Sequence, residues 1–496
     1  MTENYKITID RKDANKVIKR YKEFLSKNDL GKIFSMSIKN PNKDFETVLN
    51  EFLEKKYSID KLEKILNKKR IASYKKIMKI MRLSRSRFYS RMNYIKRFVI
   101  KRKLGWVVKK GRIIKIGHKS DEKHINDLLK HKGSEKKILL TPGPVLTSFK
   151  VKDALIQHDI PHRDEEFETL MERLQENMLA VFDGDSNYNV LFITGSGTAG
   201  LEAAISSVVP ENKKLLVVSN GAFGERLNEI AQLHDINTIY IKKEWGESID
   251  LPVIESIIEK DKDIFAIAMN HHETSVGILN PVNAVGELAK KYNKLFVVDA
   301  ISSLGAEDLS VRDDNIDICV VSTNKCIHSF SGISAVCVAN RVWKLIKDVK
   351  PRVYYLDLKK YYKYAIEKKQ TPFTPAVSMF FAFDRASQEL LNQGIKNRIE
   401  KYKELNDFIR TELKRLGFDI LINDNHSHSI LTAKLPGNIK FRKFYQAMKK
   451  EGFVVYPCKP PLSDQWFQIA NMGELNKAML YDFIFTVEKV LKQLRR

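Results

Sequence analysis

The stretch NVLFITGSGTAGLEAAISSVV, residues 189–209, decides the fold. Its first six residues form an apolar, β-branched run of strand length. They enter Gly195-Ser196-Gly197-Thr198, and AGLEAAISSVV (199–209) then reads as a helix with small residues along one face. A buried strand, a glycine turn and a helix form the repeating unit of a parallel sheet. Outward from this stretch the same grammar recurs. KLLVVSN (214–220), IFAIAMN (264–270), LFVVDA (295–300) and DICVVST (317–323) are further apolar runs, and NAVGELAKKYN (283–293) is one of the helical patterns between them. Strands apolar on both faces need helices on both faces, so the spacing predicts an α/β domain with a mostly parallel sheet over 136–345. Ligands of such sheets bind at the carboxyl ends of strands. The polar residues cluster there: Gly195–Thr198, Asn220–Phe223, Glu273–Thr274, Asp299 and Ser322–Lys325.

After about residue 345 the pattern changes. A long helical stretch (386–417) precedes short strands at SILTAKL (429–435) and FVVYP (453–457), and KAMLYDFIFTVEKVLKQLRR closes the chain as a helix. A smaller α+β domain over 346–496 is expected. In the other direction the charge changes abruptly. Residues 1–135 hold 38 Lys and Arg against 15 Asp and Glu, whereas the other 361 residues hold 48 against 46. A basic appendage is thus joined to a nearly neutral body, with HKGSEKK as the linker. Residues 71–120 carry 17 basic and no acidic side chains. Within them, IASYKKIMKIM and RSRFYSRMNYIKRFVIKRK read as two helices about a turn. WVVKKGRIIKIG then reads as two strands about Lys110-Gly111. That is the order of a winged helix-turn-helix over 71–117, in which Arg85, Arg87 and Arg91 would face a nucleic acid. A basic helical module that is merely solvated is the competing reading.

No run of 18 apolar residues suggests a membrane span, and the charged start MTENYKITID lacks the apolar segment of a secretory signal. Cys319, Cys326, Cys337 and Cys458 show neither CxxC pairing nor zinc spacing. Reduced thiols, no metal and a cytoplasmic location are expected.

Three strand-end features carry chemistry. The glycine turn at 195–198 is either a plain structural turn or a cup for an anion at a helix N-terminus. Asp299 ends a buried strand, where an unpaired carboxylate is costly, and a protonated cofactor ring nitrogen is a natural partner. Lys325 follows another apolar run. It is a surface lysine unless it is held in a dry pocket, where its amine becomes a nucleophile. The ordered set points to a cofactor with both a phosphate and a pyridine ring.

On these residues the chain resembles the class V, fold-type I aminotransferases that use pyridoxal 5′-phosphate (PLP). The motifs run in order over 138–475: LLTPGP (139–144), HRDEEF (162–167), GSGT with LEA (195–203), NGAFGERL (220–227), ETSVGILNP (273–281), VVDAISSLGA (297–306), STNKC (322–326), FTP (373–375) and YPCK (456–459). HRDEEF, NGAFGER and NKC resemble the phosphonate transaminase branch in particular. The resemblance implies that Lys325 carries the cofactor as a Schiff base and later shuttles a proton. It implies that Asp299 pairs with the ring nitrogen and that Phe223 stacks on the ring. Ser196, Gly197 and Thr198 would hold the phosphate with Ser322 nearby, and Thr274 would meet the phenolic oxygen. Thr374 would reach the phosphate of a second subunit, which implies a homodimer.

One position departs from the family. Where the family carries an arginine that clamps the substrate's acidic group, WFQIA (466–470) places Gln468, which cannot form a charge-assisted fork. Arg163 and Lys459 are the candidate replacements. Two functions are therefore expected. The first is transamination between a small amino donor, 2-aminoethylphosphonate or a related ω-amino phosphonate, and a keto acid acceptor, pyruvate. The second is a DNA-binding regulator with a PLP-fold sensor, for which the lost arginine speaks.

Overall fold

The computed structural model describes residues 106–109, 112–115, 137–462 and 464–495. In the basic region these are two strands, Trp106–Lys109 and Arg112–Lys115, paired antiparallel with Trp106 opposite Lys115 and Lys109 opposite Arg112. They stand where the hairpin about Lys110-Gly111 is expected. The two helices preceding it, with Arg85, Arg87 and Arg91, lie outside the described residues.

The body from residue 137 is built on a seven-stranded sheet: β1 (Tyr188–Thr194), β2 (Lys214–Ser219), β3 (Asn237–Lys242), β4 (Ile264–Asn270), β5 (Leu295–Asp299), β6 (Ile318–Ser322) and β7 (Ile333–Ala339). Their order across the sheet is β1-β7-β6-β5-β4-β2-β3. The neighbouring pairs from β6 through β3 are parallel, and β7 alone runs antiparallel to both β6 and β1. Side chains alternate between faces as the pleat requires. Val190, Phe192, Phe296, Val298, Cys319 and Val321 enter one core, while Leu191, Ile193, Leu295, Val297, Ile318 and Val320 enter the other. Helices cover both faces, among them α1 (Glu165–Val181), α2 (Gly197–Val208), α3 (Ala222–Leu233), α4 (Leu251–Lys260) and α5 (Val282–Lys291).

The packing boundary does not coincide with the expected division at 345. In α6 (Leu358–Lys368), Leu358, Tyr361 and Ala365 pack in the core with Leu191 and Ile193. In α7 (Val377–Gln393), Phe380, Phe383 and Leu390 pack on Phe167 and Phe192. The change of partner comes at Gly394, which has a positive φ of 83° and divides the helical segments expected over 386–417; α8 (Ile395–Arg415) begins beyond it. The smaller domain then forms a four-stranded antiparallel sheet from β8 (Asp419–Ile420), β9 (Ile430–Lys434), β10 (Tyr456–Pro457) and β11 (Trp466–Ala470), in the order β8-β9-β11-β10. Helices α8, α9 (Phe441–Lys450) and α10 (Lys477–Leu494) share its core.

One segment from the start of the body also belongs to this domain. Ile138–Leu139 pairs in parallel with Phe453–Val454, and Leu140 is buried among Leu405, Ile409 and Phe483. Among the described residues no helix is long and apolar enough to cross a membrane.

Candidate active site

The cavity opens where the parallel strands end. It is lined by Ser196, Gly197 and Thr198 after β1, Phe223 and Arg226 on the helix after β2, His272 and Thr274 after β4, and Asp299, Ile301 and Ser302 after β5. Ser322, Asn324 and Lys325 contribute from β6 and its end, together with Ser331. Residues separated by more than a hundred positions converge because each βα turn lies at the same edge of the sheet.

Gly197 and Thr198 form the first turn of α2, whose leading N–H groups have no intrahelical acceptor. Ser196 is the N-cap residue, yet its hydroxyl makes no capping bond. Gly197 is required by packing: a Cβ there would stand 2.5 Å from Ile301 Cδ1 and 3.0 Å from Ser322 Cβ. The result is an electropositive, backbone-lined cup.

Asp299 is 5% exposed. Its Oδ1 accepts from Ile301 N at 2.9 Å, and Oδ2 accepts from Arg226 Nη2 at 3.1 Å. Burial raises its pKa, and the Arg226 charge opposes the shift. Lys325 stands beyond β6 with its amine donating to the Pro142 carbonyl. Burial lowers this amine to about 8, with Cys326 and Asp299 acting against the shift and Arg226 with it. The structure thus places Lys325 in the cavity, partly buried, with its amine lowered as a pocket lysine would be. Gly143, with φ of 129°, lets the TPGP loop lie on the lysine stem, since a Cβ there would fall 2.9 Å from Lys325 Cδ and Cε.

Phe223 is set by a buried carboxylate. Glu273 Oε2 accepts from the backbone N–H groups of Phe223 and Gly224, each at 3.0 Å, and from Asn270 Nδ2 at 2.9 Å; Oε1 accepts from Ser275 N and Ser275 Oγ. A carboxylate here satisfies the orphan donors of the first turn of α3 and complements its dipole. Thr274 lines the cavity, but its hydroxyl is engaged with Ser302 Oγ at 2.6 Å. Ser322 Oγ donates to Asn324 Oδ1 at 2.5 Å.

The expected substrate contacts separate. Arg163 is not among the lining residues. Its guanidinium donates to Gln370 Oε1, the Thr371 carbonyl and the Pro372 carbonyl at 2.6–3.1 Å and so braces the segment before Thr374. Gln468, on β11, is buried and does not line the cavity either; its Nε2 donates to the Thr274 carbonyl at 2.5 Å. Lys459 is exposed and stands 5.3 Å from the centroid of the Phe223 ring. Thr374 is exposed and does not line the cavity of its own chain. Sequence reasoning missed Arg226, His272, Ser302 and Asn324. Arg226 and Ser302 lay inside motifs already recognised, and His272 immediately precedes one. Their position just past apolar runs was the available signal.

The sequence profile of the family described as Aminotransferase class-V matches residues 147–456. This chain belongs to the class-V aminotransferases. It is 34% identical over 362 residues to an uncharacterised aminotransferase of Methanocaldococcus jannaschii, covering 72% of this chain and 94% of that one. A 2-aminoethylphosphonate–pyruvate transaminase of Lysinibacillus sphaericus is 33% identical over 344 residues, covering 68% and 92%. Among solved structures, the ureidoglycine–glyoxylate aminotransferase of Bacillus subtilis superposes with a TM-score of 0.70 at 26% identity, covering 73% of this chain and 94% of the other.

The aminotransferase is PLP-dependent, and its residues fit that cofactor. A helix N-terminus with free donors suits the phosphate, and a buried carboxylate at the far side suits a protonated ring nitrogen. A lysine amine lowered to about 8 suits capture of an aldehyde. When bound, PLP supplies the electron-withdrawing ring that acidifies the carbon bearing the substrate's amino group.

Proposed function

We propose that this aminotransferase moves an amino group between 2-aminoethylphosphonate, or a related ω-amino phosphonate, and pyruvate, giving phosphonoacetaldehyde and alanine or the reverse. In this reading Asp299 keeps a proton on the ring nitrogen. Lys325 Nζ would remove the proton from the amine-bearing carbon and deliver it to the cofactor's aldehyde carbon, on the other side of the nitrogen. Ser196, Gly197 and Thr198 hold the phosphate with Ser322 behind them, and Phe223 offers its ring face.

The placement of charge carries the substrate assignment. The family's clamp position is the neutral Gln468, already bonded to the Thr274 carbonyl. The exposed ammonium of Lys459 stands 5.3 Å from the ring centroid of Phe223, which lines the cavity, although Lys459 itself is not a lining residue. A cation there is available to an acidic group of either substrate. The names of the relatives from Lysinibacillus sphaericus and Bacillus cereus support the same substrate.

The test is spectrophotometric. Adding 2-aminoethylphosphonate to purified holoenzyme should bleach the visible cofactor band, and pyruvate should restore it. A charge-assisted hydrogen bond is worth roughly 1.5–3 kcal/mol, so Lys459→Ala should lower kcat/KM about tenfold to a hundredfold. Gln468→Arg should increase affinity for pyruvate. Bleaching by α-amino acids alone, with Lys459→Ala inert in effect, would overturn the assignment.

A further inference from the structure

His328 stands three residues past Lys325, is buried, and has no part in the chemistry above. Its backbone φ is 63°, in the left-handed region that is unfavourable for any residue with a Cβ and is ordinarily filled by glycine or asparagine. A histidine kept there is held by what its side chain bonds. Nε2 meets the Tyr402 hydroxyl at 2.5 Å and the Gly473 N–H at 3.0 Å. An amide only donates, so Nε2 is the acceptor and the ring proton sits on Nδ1, 3.5 Å from Glu474 Oε1. Burial, and then the Arg398 charge, lower the imidazole to about 4, so the ring is neutral at pH 7.

These bonds close a circuit around the lysine. The His328 N–H donates to the Lys325 carbonyl at 3.0 Å, and Arg398 of α8 donates to the Cys326 carbonyl at 3.2 Å. The main chain that carries the lysine is thereby held on its far side. Gly473 is itself paired with Leu146, and Glu474 N donates to the Leu146 carbonyl at 2.8 Å. A Cβ on Gly473 would stand 2.7 Å from that carbonyl, so the approach needs glycine. Four residues before Leu146 lies Pro142, whose carbonyl accepts from the Lys325 amine. Both ends of the lysine are therefore tied to residues 142–146. The amine is tied directly, and the main chain through His328 and Gly473.

We infer that His328 is a positioning residue for the proton transfer at Lys325, its imidazole holding the lysine's main chain in register with residues 142–146 through Gly473 and Tyr402. A lysine stem has four rotatable bonds and supplies no precision of its own. A proton moves only between atoms within hydrogen-bond reach, and a misplacement of about 1 Å can cost roughly a hundredfold in rate. The fixed main chain and the Pro142 carbonyl supply that precision from opposite ends of the stem. Without the imidazole, the buried Gly473 N–H loses its acceptor at 3.0 Å and the left-handed turn after the lysine loses its hold. The inference rests on the role proposed above for Lys325 and not on which amino donor is used.

The test uses the full chain and two variants at one position. His328→Asn suits the left-handed backbone but shortens the side chain, whereas His328→Gln keeps an acceptor and a donor at about the reach of the ring. The first readout is on apoprotein: acetylation of the Lys325 amine by acetic anhydride against pH, followed on its peptide by mass spectrometry. The wild-type midpoint should fall near 8. His328→Asn should raise it by about one unit or more, as the amine leaves its buried seat, and His328→Gln should stay near wild type. The second readout is the rate at which 2-aminoethylphosphonate bleaches the holoenzyme in a single turnover. His328→Asn should slow it roughly tenfold, with little change in the donor concentration that gives half the maximal rate. Tyr402→Phe makes both comparisons if neither variant folds. If the donor does not bleach wild type, the substrate reading above fails alone, and the apoprotein profile still decides this one. Lys325→Ala transferring at the wild-type rate would overturn the role of the lysine and this inference with it. A His328→Asn protein that melts lower yet keeps the wild-type midpoint would make His328 a structural brace only, and the inference would fall.

Discussion

Burial lowers the Lys325 amine to about 8, so its charge changes near that pH and not near 10. Only the neutral amine adds to an aldehyde, so PLP association with apoprotein should rise with pH by about tenfold per unit below 8 and level off above it. Stopped-flow absorbance at fixed PLP would show this, and an ordinary lysine would keep the rate climbing toward pH 10. Borohydride should fix a pyridoxyl group on the peptide containing Lys325, and Lys325→Ala should abolish that adduct. Lys325 and Asp299 were legible in the sequence because Asp299 ends an apolar strand and Lys325 follows one closely, where a charge is conspicuous. His272 was not. Only the fold brings it to the cavity, with Nδ1 3.2 Å from the carbonyl of Ser302, 30 residues away. The partners of Arg163 at 370–372 were not legible for a related reason: they come from another part of the chain.

The strand-to-helix units read well where both faces of a strand are buried, as in β1, β4 and β6. The edge strand β3 did not. Its side chains are only partly buried, so NTIYIK lacks the continuous apolar run that marks the central strands. β7 was missed for a different reason. ISAVCVA is wholly buried, but it enters antiparallel, directly after the loop that bears Lys325. Helix α3 shows how much one side chain can hold. Glu273 gathers five donors, two of them backbone N–H groups in the first turn of α3. Glu273→Gln removes the charge and turns one acceptor into a donor facing donors. It should cost about 1–3 kcal/mol of stability, read as a lower melting temperature. PLP affinity should fall in step, because Phe223 loses its anchor. A variant that melts lower but binds PLP normally would separate the helix cap from the cofactor platform.

At the scale of the molecule, the body is nearly neutral and the excess charge is confined to residues 1–135. The body's own assembly is testable without reference to that region. Arg163 braces the segment that leads to the exposed Thr374, and we propose that Thr374 completes the phosphate site of a second copy. Mixing Lys325→Ala with Thr374→Ala protein should then regenerate one intact site per hybrid dimer and restore part of the activity. Sedimentation showing an active monomer would refute it. The segment 138–144 has a further consequence. Ile138–Leu139 is stitched to Phe453–Val454 of the smaller domain, while three residues later the Pro142 carbonyl rests on the Lys325 amine. One short strap therefore ties the smaller domain to the lysine, so the sheet that holds residues 138–139 and the bond that holds the amine share a single run of backbone.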